Sequence, residues 1–208
     1  SSIASLSSSI NSLMFYSMLR YNFLSCTIMI HLLKDELNLL DKLEWGNTRH
    51  MFSSETLNYK LDYDPDIEFR NEINIHEDIP YPQANICKSN RIVYNYEFAG
   101  DIINSIIKKL QVSLKEENVD HRGIYYYPPG SRCGWHTNSN SPGKRIYLTW
   151  SEESNKSFFK YYDYKLDKII TKYDKKGWQI NEFVIPKEGL FWHYVGSHTT
   201  RKSIGFQF

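Results

Sequence analysis

The chain has 208 residues, with 25 Lys+Arg against 24 Asp+Glu and a formal net charge of +1. Hydrophobic residues are 41% and aromatics 15%, which supplies a real core and excludes a disordered chain. The near-neutral balance removes the electrostatic case for nucleic acid or a membrane surface, so any such partner would need a local basic patch.

The three cysteines, Cys26, Cys87 and Cys133, are widely spaced, odd in number and show no CxxC pair. That argues against a disulfide framework or a thiolate zinc site and for free thiols in a reducing, cytoplasmic setting. Residues 1–30 read as an N-terminal extension of unclear role, rich in Ser at its start. The apolar stretch from Tyr21 to Leu33 falls short of the roughly 20 residues a membrane-spanning helix needs. It also lacks the basic start and small-residue cleavage site of a signal peptide.

Residues 31–208 read as a single domain, with helical support over 31–119 and a strand-rich core over 120–208. Leu32, Leu33, Leu37, Leu40 and Leu43 recur at helical spacing with charges between them, predicting an amphipathic helix over about 31–44 that Gly46-Asn47 ends. Residues 47–92, with Pro65, Pro80 and Pro82, predict loops and short strands. A second helix is predicted from Tyr96 to Leu114, with Ile102, Ile103, Ile106, Ile107 and Leu110 as its apolar stripe.

Beyond Asp120 the texture changes to short aromatic and β-branched runs: Ile124–Tyr127, Arg145–Trp150, Ser157–Tyr162, Lys168–Tyr173, Glu182–Ile185, Leu190–Val195 and Thr200–Phe208. Pro128-Pro129-Gly130, Pro142-Gly143, Lys176-Gly177 and Pro186-Lys187-Glu188-Gly189 separate them as turns. Helices followed by about seven strands predict a mainly β fold, a jelly roll with helices packed outside it.

Three segments carry the chemistry: Tyr127 to Asn138 (Y-P-P-G-S-R-C-G-W-H-T-N), Phe191 to Val195 (F-W-H-Y-V), and Arg201 to Phe206 (R-K-S-I-G-F). Residues two apart on a strand share a face, so His136 and Asn138 can converge, and His193 can join them from another strand. On the last strand Arg201, Ser203 and Gly205 share one face, offering a guanidinium, a hydroxyl and a space. Those groups suit a carboxylate.

In these segments the chain resembles the 2-oxoglutarate/Fe(II)-dependent oxygenases, most closely the prolyl-4-hydroxylase-like branch, whose pattern is H-x-D, a distal His, and an Arg or Lys shortly beyond. The resemblance covers Gly123 to Phe208 well and the upstream helices only in general layout. It implies a double-stranded β-helix, a cupin-like form of the jelly roll. It further implies iron held by His136, His193 and Asn138, the last standing where the family has a carboxylate. Arg201, assisted by Ser203, would hold the far carboxylate of 2-oxoglutarate, and Tyr127, Arg145 and Thr149 would line that pocket. Fe(II), 2-oxoglutarate and O2, with ascorbate as a further reductant, are the implied cofactors, and a hydroxylase of a protein side chain or a small molecule is the implied activity.

The amide of Asn138 brings no charge, so a tolerated ligand and a lost one both stay open, and the second would leave a catalytically impaired binding module of the same fold. A zinc hydrolase using the two histidines ranks behind, for want of a nearby carboxylate base. His31, His50, His76 and His121 are expected to be ordinary structural residues. His198 is the rival of His193, but it falls in a turn. Arg201 has the alternative of a simple ion pair, Tyr127 that of a core aromatic, and Ser203 that of a packing residue. The cluster Lys172, Lys175 and Lys176 beside Asp174 reads as a solvated face.

Overall fold

The structure, a computed structural model, describes residues 27–47, 49, 51–54, 64–73 and 89–208. Cys26, Cys87, His50 and His76 lie outside the described residues, as does most of the N-terminal extension. Helix α1 is Lys34–Asp41, α2 Pro65–Glu72 and α3 Gly100–Leu114. The strands are β1 Met51–Ser54, β2 Ile92–Tyr94, β3 Asp120–Tyr127, β4 Ser131–His136, β5 Gly143–Ser151, β6 Ser157–Asp163, β7 Lys168–Tyr173, β8 Gly177–Ile185, β9 His193–Ser197 and β10 Arg201–Gln207.

The helices follow the apolar spacing with two departures. The expected helix from Tyr96 is a 3-10 turn over Tyr96–Phe98, and α3 starts only after Ala99, whose φ of −147° is not helical. Within 47–92, where loops and strands were expected, α2 forms. The Asp64 side chain accepts the main-chain N–H of Asp66 at 2.9 Å, and Pro65 takes the first helical position, where its missing N–H costs nothing.

Six strands form one sheet in the order β1-β2-β3-β10-β5-β8, and four form another in the order β4-β9-β6-β7. The pairs β3–β10, β4–β9, β5–β8 and β6–β7 are antiparallel and nested, the first strand of the core with the last and so inward to the central hairpin. Nested pairing divided between two sheets is a double-stranded β-helix, the jelly-roll closure that leaves short edges. Its eight strands include β4, a run that reads as turn-rich motif rather than strand in the sequence.

Alternation sorts the side chains into layers. Ile124, Ile146, Leu148, Ile204 and Phe206 face outward from the larger sheet and pack with Leu33, Leu37 and Leu40 of the first helical segment and Ile103, Ile106 and Leu110 of α3. On the outside of the smaller sheet, Trp135, Phe158, Tyr162 and Tyr194 pack against Phe69 of α2. There the Trp135 indole N–H donates to the Pro65 carbonyl at 2.8 Å, and Arg132 pairs with Glu68 at 3.3 Å. Between the sheets lie Tyr127, Cys133, Phe159 and Val195, together with Tyr125 and Phe183. This inner layer is where the candidate site opens.

One irregularity decides what faces inward. Strand β4 pairs Cys133 with Val195 and then His136 with His193, so three steps on β4 meet two on β9. Strict alternation from an inward Cys133 would turn Trp135 inward and His136 outward. The bulge reverses this, seating Trp135 against Phe69 outside and His136 opposite His193 within.

Candidate functional site

His136 ends β4 and His193 opens β9, and their ring centroids lie 4.0 Å apart. Both are buried. His136 Nδ1 meets the Gly134 carbonyl at 2.7 Å and His193 Nδ1 meets the Phe191 carbonyl at 2.8 Å. A carbonyl only accepts, so each Nδ1 carries a proton and, in the neutral ring, Nε2 carries the lone pair. Burial first, and then the neighbouring His136, hold the His193 pKa well below its ordinary value, against the opposing hydrogen bond to Phe191. His193 is therefore a neutral imidazole with a donor nitrogen, the form in which histidine binds metals. His198, by contrast, is exposed.

Asn138 reaches this pair by a route other than strand alternation. Strand β4 stops at His136, and Asn138 adopts the left-handed conformation with φ 52°, which asparagine tolerates better than most residues. The Ser141 N–H donates to the Asn138 carbonyl at 3.0 Å and closes the turn. The Asn138 Nδ2 then sits 3.1 Å from His193 Nε2. Half a turn of the amide would exchange its N–H for its oxygen at the same place. Cys133 Sγ lies 3.7 Å from His136 Nδ1 and 3.9 Å from its Nε2, at similar distances from both nitrogens and so over the ring rather than in its plane.

His136, His193, Arg201, Ser203 and Tyr127 line one cleft of about 410 Å³, counted with its open mouth. Arg201, only 3% exposed, is held from behind by Asp174, whose carboxylate accepts the Arg201 Nε–H at 2.9 Å. The Arg201 guanidinium lies 5.0 Å over the Tyr127 ring, and its Nη2 is 3.5 Å from Thr149 Oγ1. Tyr127 accepts a hydrogen bond from Arg91 at 3.2 Å. Burial raises its pKa to about 12 against the pull of Arg91 and Arg201, so the phenol stays protonated.

The structure separates Arg145 from this group. Arg145 shares the inward face of β5 with Thr149 but is buried towards the other end of the strand, where its Nη2 donates to the Ser141 carbonyl at 2.6 Å. It lies outside the cleft lining, as do Thr149, which meets the cleft only through Arg201, and Asn138, which meets it through His193. Nor does Gly205 leave a space: a Cβ there would come within 2.7 Å of the Tyr147 ring, which lies across the glycine. Lys172, Lys175 and Lys176 are exposed, as expected of a solvated face, while Asp174 among them is 2% exposed.

The lining also includes residues outside the three motif segments. Tyr147 was legible, since it falls between Arg145 and Thr149 on the same face of β5. Phe183 stacks on Tyr147 at 5.5 Å and on Phe159 at 5.1 Å, and lies 5.5 Å from the His193 ring. With Phe191, 5.3 Å from His193, these rings form an apolar wall beside the imidazole pair. Arg91, 4.2 Å over the Tyr125 ring, enters from the segment before β2, and no local pattern marks it.

No family model matches the sequence, and no curated protein matches it either. Among solved structures, the chain is similar to an oxidoreductase of the 2OG-Fe(II) oxygenase family from Burkholderia pseudomallei, with 11% identity over 59% of this chain and 72% of that one and a TM-score of 0.43. It is also similar to a prolyl-4-hydroxylase from Pseudomonas putida, with 12% identity over 85% of this chain and 98% of that one and a TM-score of 0.39. A cupin domain from Bordetella pertussis shares 17% identity over 44% of this chain and 81% of that one, with a TM-score of 0.29. These likenesses are distant. The double-stranded β-helix stands on the strand pairing itself.

Among the described residues, no three His, Cys, Asp or Glu side chains group to hold a metal ion. The groups brought together by His136, His193 and Asn138 are two imidazoles and one amide, a neutral combination. It fits a first-row divalent cation in ligand type, with weaker electrostatic attraction than a carboxylate would give. No described helix is long and apolar enough to cross a membrane.

Proposed function

We propose that the chain is an Fe(II)- and 2-oxoglutarate-dependent hydroxylase acting on a C–H bond of a protein side chain or a small molecule. The observation that carries this reading is the meeting of two imidazoles, each with Nδ1 tied to the main chain, in one cleft with the Arg201 guanidinium. His136, His193 and the Asn138 amide oxygen would hold the metal. Iron held there would supply dioxygen activation, with two of the four electrons coming from oxidative decarboxylation of 2-oxoglutarate to succinate and two from the substrate C–H bond.

The chain's own residues do the rest. Main-chain carbonyls at Gly134 and Phe191 fix both rings in the ligating tautomer. Arg201 offers its Nη edge to a carboxylate, with the Ser203 hydroxyl beside it in the lining. The wall of Phe159, Phe183, Phe191 and Tyr147 limits water around the metal position, which strengthens each polar contact made inside. Ascorbate would serve to return oxidised iron to the ferrous form.

The deciding assay is succinate release from 2-oxoglutarate with Fe(II), O2 and ascorbate, in the parent and in His136→Ala. Turnover in the parent above the variant supports the proposal, and equal rates count against it. One observation favours a second reading, a jelly-roll binding module that does not turn over: the amide in place of a carboxylate, already hydrogen-bonded to His193. Titration with Fe(II) under anaerobic conditions separates the two, since the module predicts no stoichiometric binding.

A further inference from the structure

Behind the cleft, outside its lining, lies a buried carboxylate that neither the sequence pattern nor the proposed reaction uses. Asp174 follows β7 on the smaller sheet, whereas Arg201 opens β10 on the larger one. Their ion pair thus joins the two sheets behind the cleft, with side-chain exposures of 4% for Arg201 and 2% for Asp174. Both carboxylate oxygens are held by directed hydrogen bonds. Oδ2 accepts from Arg201 Nε at 2.9 Å and from Ser157 Oγ at 2.7 Å, while Oδ1 accepts from Gln179 Nε2 at 2.5 Å. The Asp174 main chain is fixed as well, with its N–H donating to the Ser157 carbonyl at 2.8 Å.

We infer that Asp174 is the positioning residue for Arg201, determining which edge of the guanidinium meets a bound carboxylate. A guanidinium can grip a carboxylate side-on through Nε and one Nη, or end-on through its two Nη atoms. Asp174 occupies Nε from outside the cleft lining, so the side-on mode is closed and the two-Nη edge, whose Nη2 lies 3.5 Å from Thr149 Oγ1, is left for a ligand in the cleft that Arg201 and Ser203 line. Burial makes the arrangement rigid. An arginine this enclosed, with Nε left without an acceptor, would carry a large desolvation cost and would reorient to find one. This inference rests on the proposed function only in taking 2-oxoglutarate as the carboxylate.

The test uses the full chain loaded with Mn(II), with N-oxalylglycine as the 2-oxoglutarate analogue, read by calorimetric titration. Asp174→Ala removes the acceptor, and the expected result is at least a tenfold loss of N-oxalylglycine affinity with Mn(II) affinity unchanged by electron paramagnetic resonance. Asp174→Asn keeps an oxygen for the Nε–H but no charge, and should hold affinity within about threefold although its melting temperature falls. A purely structural role would lower the melting temperature of both variants and separate neither by affinity. Unchanged affinity in Asp174→Ala overturns the inference. So does a tenfold loss in Asp174→Asn, which stays informative if the alanine variant fails to fold. Arg201→Gln distinguishes the two levels. If it leaves N-oxalylglycine binding intact, the assignment of Arg201 fails; if it abolishes binding while Asp174→Ala does not, only the role of Asp174 fails.

Discussion

Replacing Gly205 by alanine tests how tightly the inner layer beside the site is built. The new Cβ would stand 2.7 Å from Tyr147 Cε1 and 2.8 Å from Cζ, against an ordinary carbon–carbon contact of about 3.5–4.0 Å. The ring would have to retreat by about 1 Å. Its retreat is blocked by Phe183, stacked at 5.5 Å and itself packed 5.5 Å from His193. Overpacking of this kind costs about 1–3 kcal/mol. Loss of glycine freedom in the unfolded chain offsets about 0.4–1 kcal/mol of that, so packing wins. The expected outcome is a net loss of about 1–2 kcal/mol, read by urea denaturation, or a fall of about 2–8 °C in melting temperature. Tyr147→Leu in the same chain should relieve the clash, giving a double-mutant coupling above about 0.5 kcal/mol. A Gly205→Ala variant as stable as the parent, or a cycle that adds up, would refute the packing described for Tyr147.

Three further outcomes follow from the site and its support. His136→Ala and His193→Ala should each abolish stoichiometric Mn(II) binding while leaving the far-ultraviolet circular dichroism unchanged. Asn138→Asp should tighten Mn(II) binding by about tenfold or more, because a carboxylate adds an attraction that the amide lacks; equal affinity would remove Asn138 from the ligand set. Lys109→Met tests the clamp between α1 and α3, where the ammonium lies 2.7 Å from the Glu36 carboxylate. Burial raises the Glu36 pKa, but hydrogen bonds from Lys109 and Ser105 and the Lys109 charge outweigh it and leave the pKa below its ordinary 4.5. A carboxylate with a depressed folded pKa contributes stability above its unfolded pKa and loses it as pH falls through the folded one. The variant should therefore be less stable by about 1–2 kcal/mol at pH 7, with partly exposed Lys109 screening part of the effect, and the gap should narrow as pH falls below 4.5 through the lowered pKa of Glu36. Lys109 Nζ also donates to the Leu32 carbonyl at 2.9 Å, a contact that pH leaves alone, so the result counting against the pair is a gap that does not narrow at all as pH falls.

Much of the fold is legible because the patterns behind it are local. The leucines of α1 and the isoleucines of α3 lie at helical spacing, and both sets pack on the larger sheet. Lys202, Ile204 and Phe206 alternate with Arg201, Ser203 and Gly205, which is enough to assign their two faces before any pairing is known. The strand β4 was harder to read, since Ser131–His136 is rich in small and polar residues and gains its order from pairing with β9. Helix α2 escaped because its signal, Asp64-Pro65, also marks a turn, and its docking through Phe69 and Glu68 is tertiary.

Residue order alone carries the inventory: mainly β strands after residue 120, helices before them, and two histidines and an arginine in an order that suits one site. Those are properties of spacing along the chain, and spacing survives without coordinates. Tertiary structure decided which face each group occupies. A bulge between Cys133 and His136 turns that imidazole inward, a left-handed turn brings Asn138 to His193, and Asp174 from the opposite sheet occupies Arg201 Nε. Each depends on register between strands far apart in sequence, and a shift of one residue in register exchanges the two faces of a strand.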